Sequence, residues 1–103
     1  MIYTITFNPA MDLVMSLEQL NLGELNRVPE QYFVAGGKGI NMSVLLKRLG
    51  LDSVATGFIG GFSGQFIIDE LASEGIASHF IAVDGQTRIN TKLKADRETE
   101  ING

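Results

Sequence analysis

Two glycines, a lysine, a third glycine and an asparagine stand together in Gly36-Gly37-Lys38-Gly39-Ile40-Asn41, at the mouth of a predicted helix. Gly36 and Gly37 can take positive φ and let a ligand approach the backbone. Gly39 and the turn after it expose N–H groups which, with the helix dipole, favour an anion or a sugar oxygen. Lys38 and Asn41 are spaced to face one side of that helix. Asp12 closes an Asn8-Pro9-Ala10-Met11-Asp12 turn after the first predicted strand. A carboxylate there can accept hydrogen bonds from neighbouring sugar hydroxyls. Arg88, Asn90 and Lys92 share one face of a predicted hairpin. A guanidinium offers paired donors to phosphate, and an ammonium offers a point charge. These are the parts of a polar pocket for a phosphorylated polyol.

Each group also has an ordinary reading. Gly36 to Asn41 fit a glycine-rich turn with a solvated lysine. Asp12 fits a surface turn, and Arg88, Asn90 and Lys92 fit a solvated strand face. Competing motifs fail on the residues themselves. A P-loop needs Ser or Thr after its lysine, and Lys38 is followed by Gly39. A dinucleotide fingerprint needs glycine where Met42 stands. No Ser/His/Asp set and no His/Asp/Glu group at metal spacing is present. The single histidine, His79, lies in an apolar run and reads as structural. Phe58 and Phe62 read as core residues.

The elements that must position these groups follow from hydrophobic period. Residues 2–7 alternate, with Tyr3, Ile5 and Phe7 on one side and Ile2, Thr4 and Thr6 on the other, which predicts a strand ended by Asn8-Pro9. Residues 13–17 and 31–35 predict short extended pieces of a small separate sheet, with a loop over 20–30. From Gly39, the positions Ile40, Val44, Leu45 and Leu49 have helical spacing. Lys47 and Arg48 sit near that helix's end, and Gly50 suits the residue after it. Residues 53–59 predict a buried strand and Gly60 to Gly64 a turn. Phe66, Ile67 and Leu71 predict a second helix stopped by Gly75, and residues 76–83 a further strand. This βαβαβ rhythm predicts an α/β protein with a parallel sheet. Thr87 to Lys94, a turn at Asp96-Arg97, and Glu98 to Ile101 then predict an antiparallel hairpin with one polar face.

The 103 residues fit one domain or a piece of a larger one, and 45% hydrophobic content is globular. Eight basic and 12 acidic residues give a net charge of −4, which argues against a nucleic-acid partner. The apolar runs are too short for a membrane span, and residues 1–7 read as a strand and not a signal peptide. There are no cysteines, which fits a cytoplasmic protein. Three parallel strands under two helices make a thin core. The expectation is therefore the front part of a longer protein, whose unpaired strand edge makes it self-associate or unfold in isolation.

Thr4 to Asp12 resembles the opening of the PfkB, or ribokinase-like, carbohydrate kinases. Ala35 to Ser43 resembles that family's first signature. Thr87 to Lys94, followed by Glu98-Thr99-Glu100-Ile101-Asn102-Gly103, resembles the branch that holds the 1-phosphofructokinases and tagatose-6-phosphate kinases. The resemblance implies a doubly wound α/β domain of which residues 1–103 form the N-terminal part, with lid segments at about 13–35 and 87–101. It implies ATP-dependent phosphorylation of fructose 1-phosphate at its C6 hydroxyl, with Mg2+, and tagatose 6-phosphate as the alternative substrate. A non-catalytic sugar-phosphate binding module is the alternative outside the enzymes. Asp12, Gly37, Lys38 and Asn41 would contact the sugar. Arg88, with Lys38, Asn90 and Lys92, would hold the substrate phosphate. The lid would also serve as a homodimer interface. The family's second signature, a Gly-Ala-Gly-Asp turn that supplies the catalytic aspartate, does not occur in the 103 residues. The chain alone is therefore expected to be inactive, with its ATP and Mg2+ sites elsewhere.

Overall fold

A computed structural model describes residues 1–103. The chain runs through β1 (Tyr3–Thr6), β2 (Ala10–Ser16), β3 (Glu30–Gly36), α1 (Lys38–Arg48), β4 (Val54–Ile59), α2 (Gly61–Ser73), β5 (Ala77–Ala82), β6 (Arg88–Lys94) and β7 (Glu98–Ile101). Two sheets result. One is three-stranded in the order β1-β4-β5, with both pairings parallel. The other is four-stranded in the order β3-β2-β6-β7, with β2 and β6 parallel and both outer pairs antiparallel.

The alternation in β1 decides which face of the parallel sheet is covered. Thr4 and Thr6, not the apolar residues, are buried. Thr4 Oγ1 lies 2.6 Å from Ser43 Oγ on α1, which also accepts from Ser53 Oγ at 2.9 Å. This hydroxyl cluster satisfies polar groups that burial would otherwise penalise. Beside it lies the apolar core of Ile40, Ala55, Ile59, Ile67, Leu71 and Ile76, between the sheet and the two helices. The opposite face carries Tyr3, Ile5, Phe7, Phe58 and Ile81, all exposed. Phe7 and Phe58 stack there at 6.2 Å between ring centres. Phe33 of β3 meets Phe66 of α2 edge-on at 6.1 Å, which ties the second sheet to the helical layer.

Three expectations need correction. Asp12 is not in a turn: it lies inside β2, which begins at Ala10. β1 stops at Thr6, and Pro9 directly precedes the new strand, a position where its missing N–H breaks no ladder. Gly60 to Gly64 is not a turn, because α2 starts at Gly61. Its first turn closes through Gly64 N–H to Gly60 O at 3.2 Å, and Thr87 N–H donates to Gly60 O at 2.9 Å. Phe58 and Phe62 are 39% and 66% exposed, so neither is a core residue. His79 is exposed on β5. Gly50, at φ 81°, follows the α1 cap residue Leu49 as expected. No helix is long and apolar enough to cross a membrane.

Candidate functional site

The site forms where the second sheet meets the N-terminus of α1. Parallel pairing sets Ala10 opposite Arg88, Asp12 opposite Asn90 and Val14 opposite Lys92. Antiparallel pairing then sets Lys92 opposite Glu100. Because side chains alternate along a strand, Asp12, Arg88, Asn90, Lys92 and Glu100 fall on one face. β3 ends at Gly36, and α1 starts two residues later, so its first turn closes one end of that face. The result is a cleft of about 510 Å³. Asp12, Gly37, Lys38, Asn41, Arg88, Asn90 and Lys92 all line it. Asn8, Glu100 and Asn102 line it too and were not anticipated. The alternation of the hairpin carried a signal for Glu100 and Asn102, once β7 is extended by one step past Ile101. Asn8, whose carbonyl accepts from Arg88, carried none.

The polar atoms of this cleft are incompletely paired. The Asp12 side chain is only 9% exposed. Its Oδ2 lies 3.7 Å from Lys92 Nζ, and its Oδ1 has no hydrogen-bond partner. Arg88 Nη2 donates to the Asn8 carbonyl at 3.1 Å, while its buried Nε has no partner. Asn90 Oδ1 accepts from Gly103 N–H at 3.0 Å. Lys38 is exposed and pairs with no carboxylate. A buried carboxylate oxygen without a donor carries a desolvation cost.

The backbone at the glycines is fixed by close approach. Gly37 caps α1 without a side chain, and Thr6 Oγ1 substitutes by accepting Ile40 N–H at 3.0 Å. The N–H groups of Lys38 and Gly39 are left without intrahelical partners and border the cleft. Gly37 sits at φ 130°, and a Cβ there would come 2.5 Å from Thr6 Cγ2. A Cβ on Gly36 would come 2.5 Å from Asp12 Oδ2. Gly37→Ala is therefore expected to destabilise the fold by about 1–3 kcal/mol through backbone strain. Thermal melting would register it, and an unchanged midpoint would show that the helix entry relaxes freely.

Two other places in the fold lack the same chemistry. A hollow of about 370 Å³ between α1 and α2 has an apolar floor that includes Val44, Leu45 and Leu71. Neither unpartnered buried polar atom of the chain belongs to it. The N-terminus of α2 is already filled: Gly60 N–H donates to Thr87 Oγ1 at 2.9 Å, and the Gln86 amide sits against Gly61 and Ser63. No three His, Cys, Asp or Glu side chains converge as a metal site.

Residues 5–102 match the family described as pfkB family carbohydrate kinase. The chain belongs to this family. Its curated relatives include the Bacillus subtilis 1-phosphofructokinase, 50% identical over 103 residues, covering 100% of this chain and 34% of the relative. A Bacillus licheniformis D-tagatose-1-phosphate kinase is 46% identical, covering 98% of this chain and 33% of the relative. Among solved structures, a Staphylococcus aureus protein named only provisionally as a phosphofructokinase superposes with TM-score 0.94 and 54% identity, over 100% of this chain and 34% of that one. The pfkB chain thus spans about a third of the length of the relatives it matches. Within that third it is a mixed α/β structure with a parallel sheet and a separate small sheet, as the pfkB resemblance implied.

Proposed function

We propose that this chain forms the sugar-phosphate-binding part of a kinase that phosphorylates fructose 1-phosphate at its C6 hydroxyl. Residues 1–103 would be one part of a single kinase domain, with lid segments at about 13–35 and 87–101. The observation that carries the reading is the unpartnered Oδ1 of buried Asp12, set in a cleft with two cations, Lys38 and Arg88, that no carboxylate compensates. Asp12 and Asn41 would take sugar hydroxyls. The backbone at Gly37 and the free N–H groups of α1 would take a sugar or phosphate oxygen. Arg88 and Lys38 would hold the phosphate, with Asn90 beside them and Lys92 on the same face. These residues bind and orient the acceptor sugar, and in phosphoryl transfer positioning is a large part of catalysis.

ATP and Mg2+ are the expected co-substrate and ion of such a kinase. The residues present do not fit them: no carboxylate cluster could hold a metal, and Gln86 and Thr87 occupy the one other glycine-rich helix start. The second sheet has two open edges, β3 and β7, which supports a homodimer formed through it. The Escherichia coli phosphofructokinase-2, a relative at 25% identity, has been solved as a tetramer. A cytoplasmic location fits a chain without cysteine.

Calorimetry on the full-length protein tests the reading with fructose 1-phosphate, fructose and inorganic phosphate. The ester should bind at least about a hundredfold more tightly than either half, because charged contacts and hydroxyl contacts act on one molecule. Equal affinity for the ester and fructose would overturn it. The 103 residues alone are expected to show no ATP-dependent turnover. Tagatose 6-phosphate is the second reading, supported by a Staphylococcus epidermidis relative named tagatose-6-phosphate kinase, 41% identical over 88 residues. Comparing turnover of the two esters separates them.

A further inference from the structure

We propose that Glu100 is a second hydroxyl-binding carboxylate of the cleft, and that Lys92 is the counter-ion shared by Glu100 and Asp12, not a ligand of the substrate phosphate. The proposal rests on the cleft being a sugar-phosphate site.

The geometry points there through the pairing of three strands. β6 sets Lys92 between β2 and β7, and its Nζ lies 3.7 Å from Asp12 Oδ2 and 3.9 Å from Glu100 Oε1. Both separations exceed hydrogen-bond length, so the ammonium is a point charge held between two anions. A phosphate approaching Lys92 would share that cation with two carboxylates already beside it. Lys38 and Arg88 carry no such load: neither has a carboxylate within ion-pair range, and the one side-chain hydrogen bond of Arg88 goes to the Asn8 carbonyl. Two uncompensated cations match the charge of one phosphate monoester dianion. The cleft therefore divides into a cationic end at Lys38 and Arg88 and an acceptor end at Asp12 and Glu100.

Glu100 has the freedom an acceptor needs. Its carboxylate makes no hydrogen bond within the chain, and its side chain is 58% exposed at the cleft. Sugar hydroxyls donate best to carboxylates. Asp12 offers its free Oδ1 from one side of the Lys92 ammonium, and Glu100 offers its carboxylate from the other. A ketohexose with neighbouring hydroxyls can bridge the two. Glu100 then helps decide which hydroxyl configuration fits, and Lys92 acts as a positioning residue for both acids.

The test uses the full-length protein, calorimetry with fructose 1-phosphate, and competition by inorganic phosphate. Glu100→Gln keeps the shape of the side chain, and its effect should be about a tenfold loss of ester affinity with inorganic phosphate affinity unchanged within about twofold. Lys92→Met should lose about tenfold for the ester alone. The double variant should lose little more than either single one, because both remove the same arrangement. Arg88→Met is the reference for a phosphate ligand and should weaken both molecules. Tighter binding by Glu100→Gln would overturn the proposal, since it would mark a carboxylate that merely repels phosphate. So would Lys92→Met weakening inorganic phosphate as Arg88→Met does, or losses that add in the double variant. If the unsubstituted protein binds the ester no better than fructose, the sugar-phosphate reading itself fails, and the proposal goes with it. A protein that prefers the ester but shows none of these variant effects retains that reading and loses only the roles of Glu100 and Lys92.

Discussion

Asp12→Asn in the full-length protein is expected to lower affinity for fructose 1-phosphate by about a hundredfold or more, with the melting temperature unchanged or slightly raised. The Asp12 carboxylate is nearly enclosed, and one of its oxygens is unsatisfied. Hydrogen bonds to a charged group are worth about 1.5–3 kcal/mol each, so losing two charge-assisted hydroxyl contacts removes about 3–6 kcal/mol of binding. Every 1.4 kcal/mol is about tenfold in affinity. The stability side has the opposite sign. The only ionic partner of Asp12 is Lys92 at 3.7 Å, which is itself 39% exposed, so little native pairing is lost. Removing a buried charge with an unpartnered oxygen relieves a desolvation cost. Calorimetry and thermal melting on the same preparation check both halves. A variant that binds normally would show that the orphan oxygen faces no ligand. A variant that melts well below the parent would show that Asp12 is there to hold β2 and β6 together.

Why Asp12 could be singled out from sequence while its surroundings could not is a matter of range. Local period was enough for β1, α1 and the β6–β7 hairpin, whose alternation placed Arg88, Asn90 and Lys92 on one face. It failed at Ala10, because Asn8-Pro9 signals a stop and only the partners of β2 reveal that a new strand starts at once. It failed at Gly60 to Gly64 for a similar reason. Three glycines in five residues outweigh a helix signal, and that helix start is secured by Gln86 and Thr87, more than twenty residues downstream. Phe58 and Phe62 were read as core because they are aromatic. Phe58 stands on the sheet face opposite the one the helices cover, where Thr4 meets Ser43 of α1, and Phe62 stands on an exposed position of the first turn of α2. The seven candidate residues could be named one by one. Their convergence, and the placement of Lys92 between two acids, needed the register of three strands.

The isolated 103-residue polypeptide is expected to self-associate, and the bare sheet face gives a stronger reason than the open strand edge alone. Tyr3, Ile5, Phe7 and Ile81 are 62%, 60%, 76% and 59% exposed, with Phe58 at 39% beside them. Fully burying one large apolar side chain is worth about 1.5–3 kcal/mol. Covering five partly exposed ones would therefore yield several kcal/mol, comparable with the entire stability of a small domain, about 5–15 kcal/mol. The edges β1 and β5 add unpaired backbone groups at either side of the same face. Sedimentation should give a concentration-dependent mass above the 11.2 kDa of one chain. The combined Tyr3→Lys, Phe58→Lys and Ile81→Lys variant leaves every cleft residue in place and should shift the distribution toward monomer. If that variant still associates, the strand edges drive the assembly and the face does not. A parent chain that stays monomeric and melts cooperatively would mean that 103 residues tolerate an uncovered apolar sheet, and the expectation would be wrong at its root.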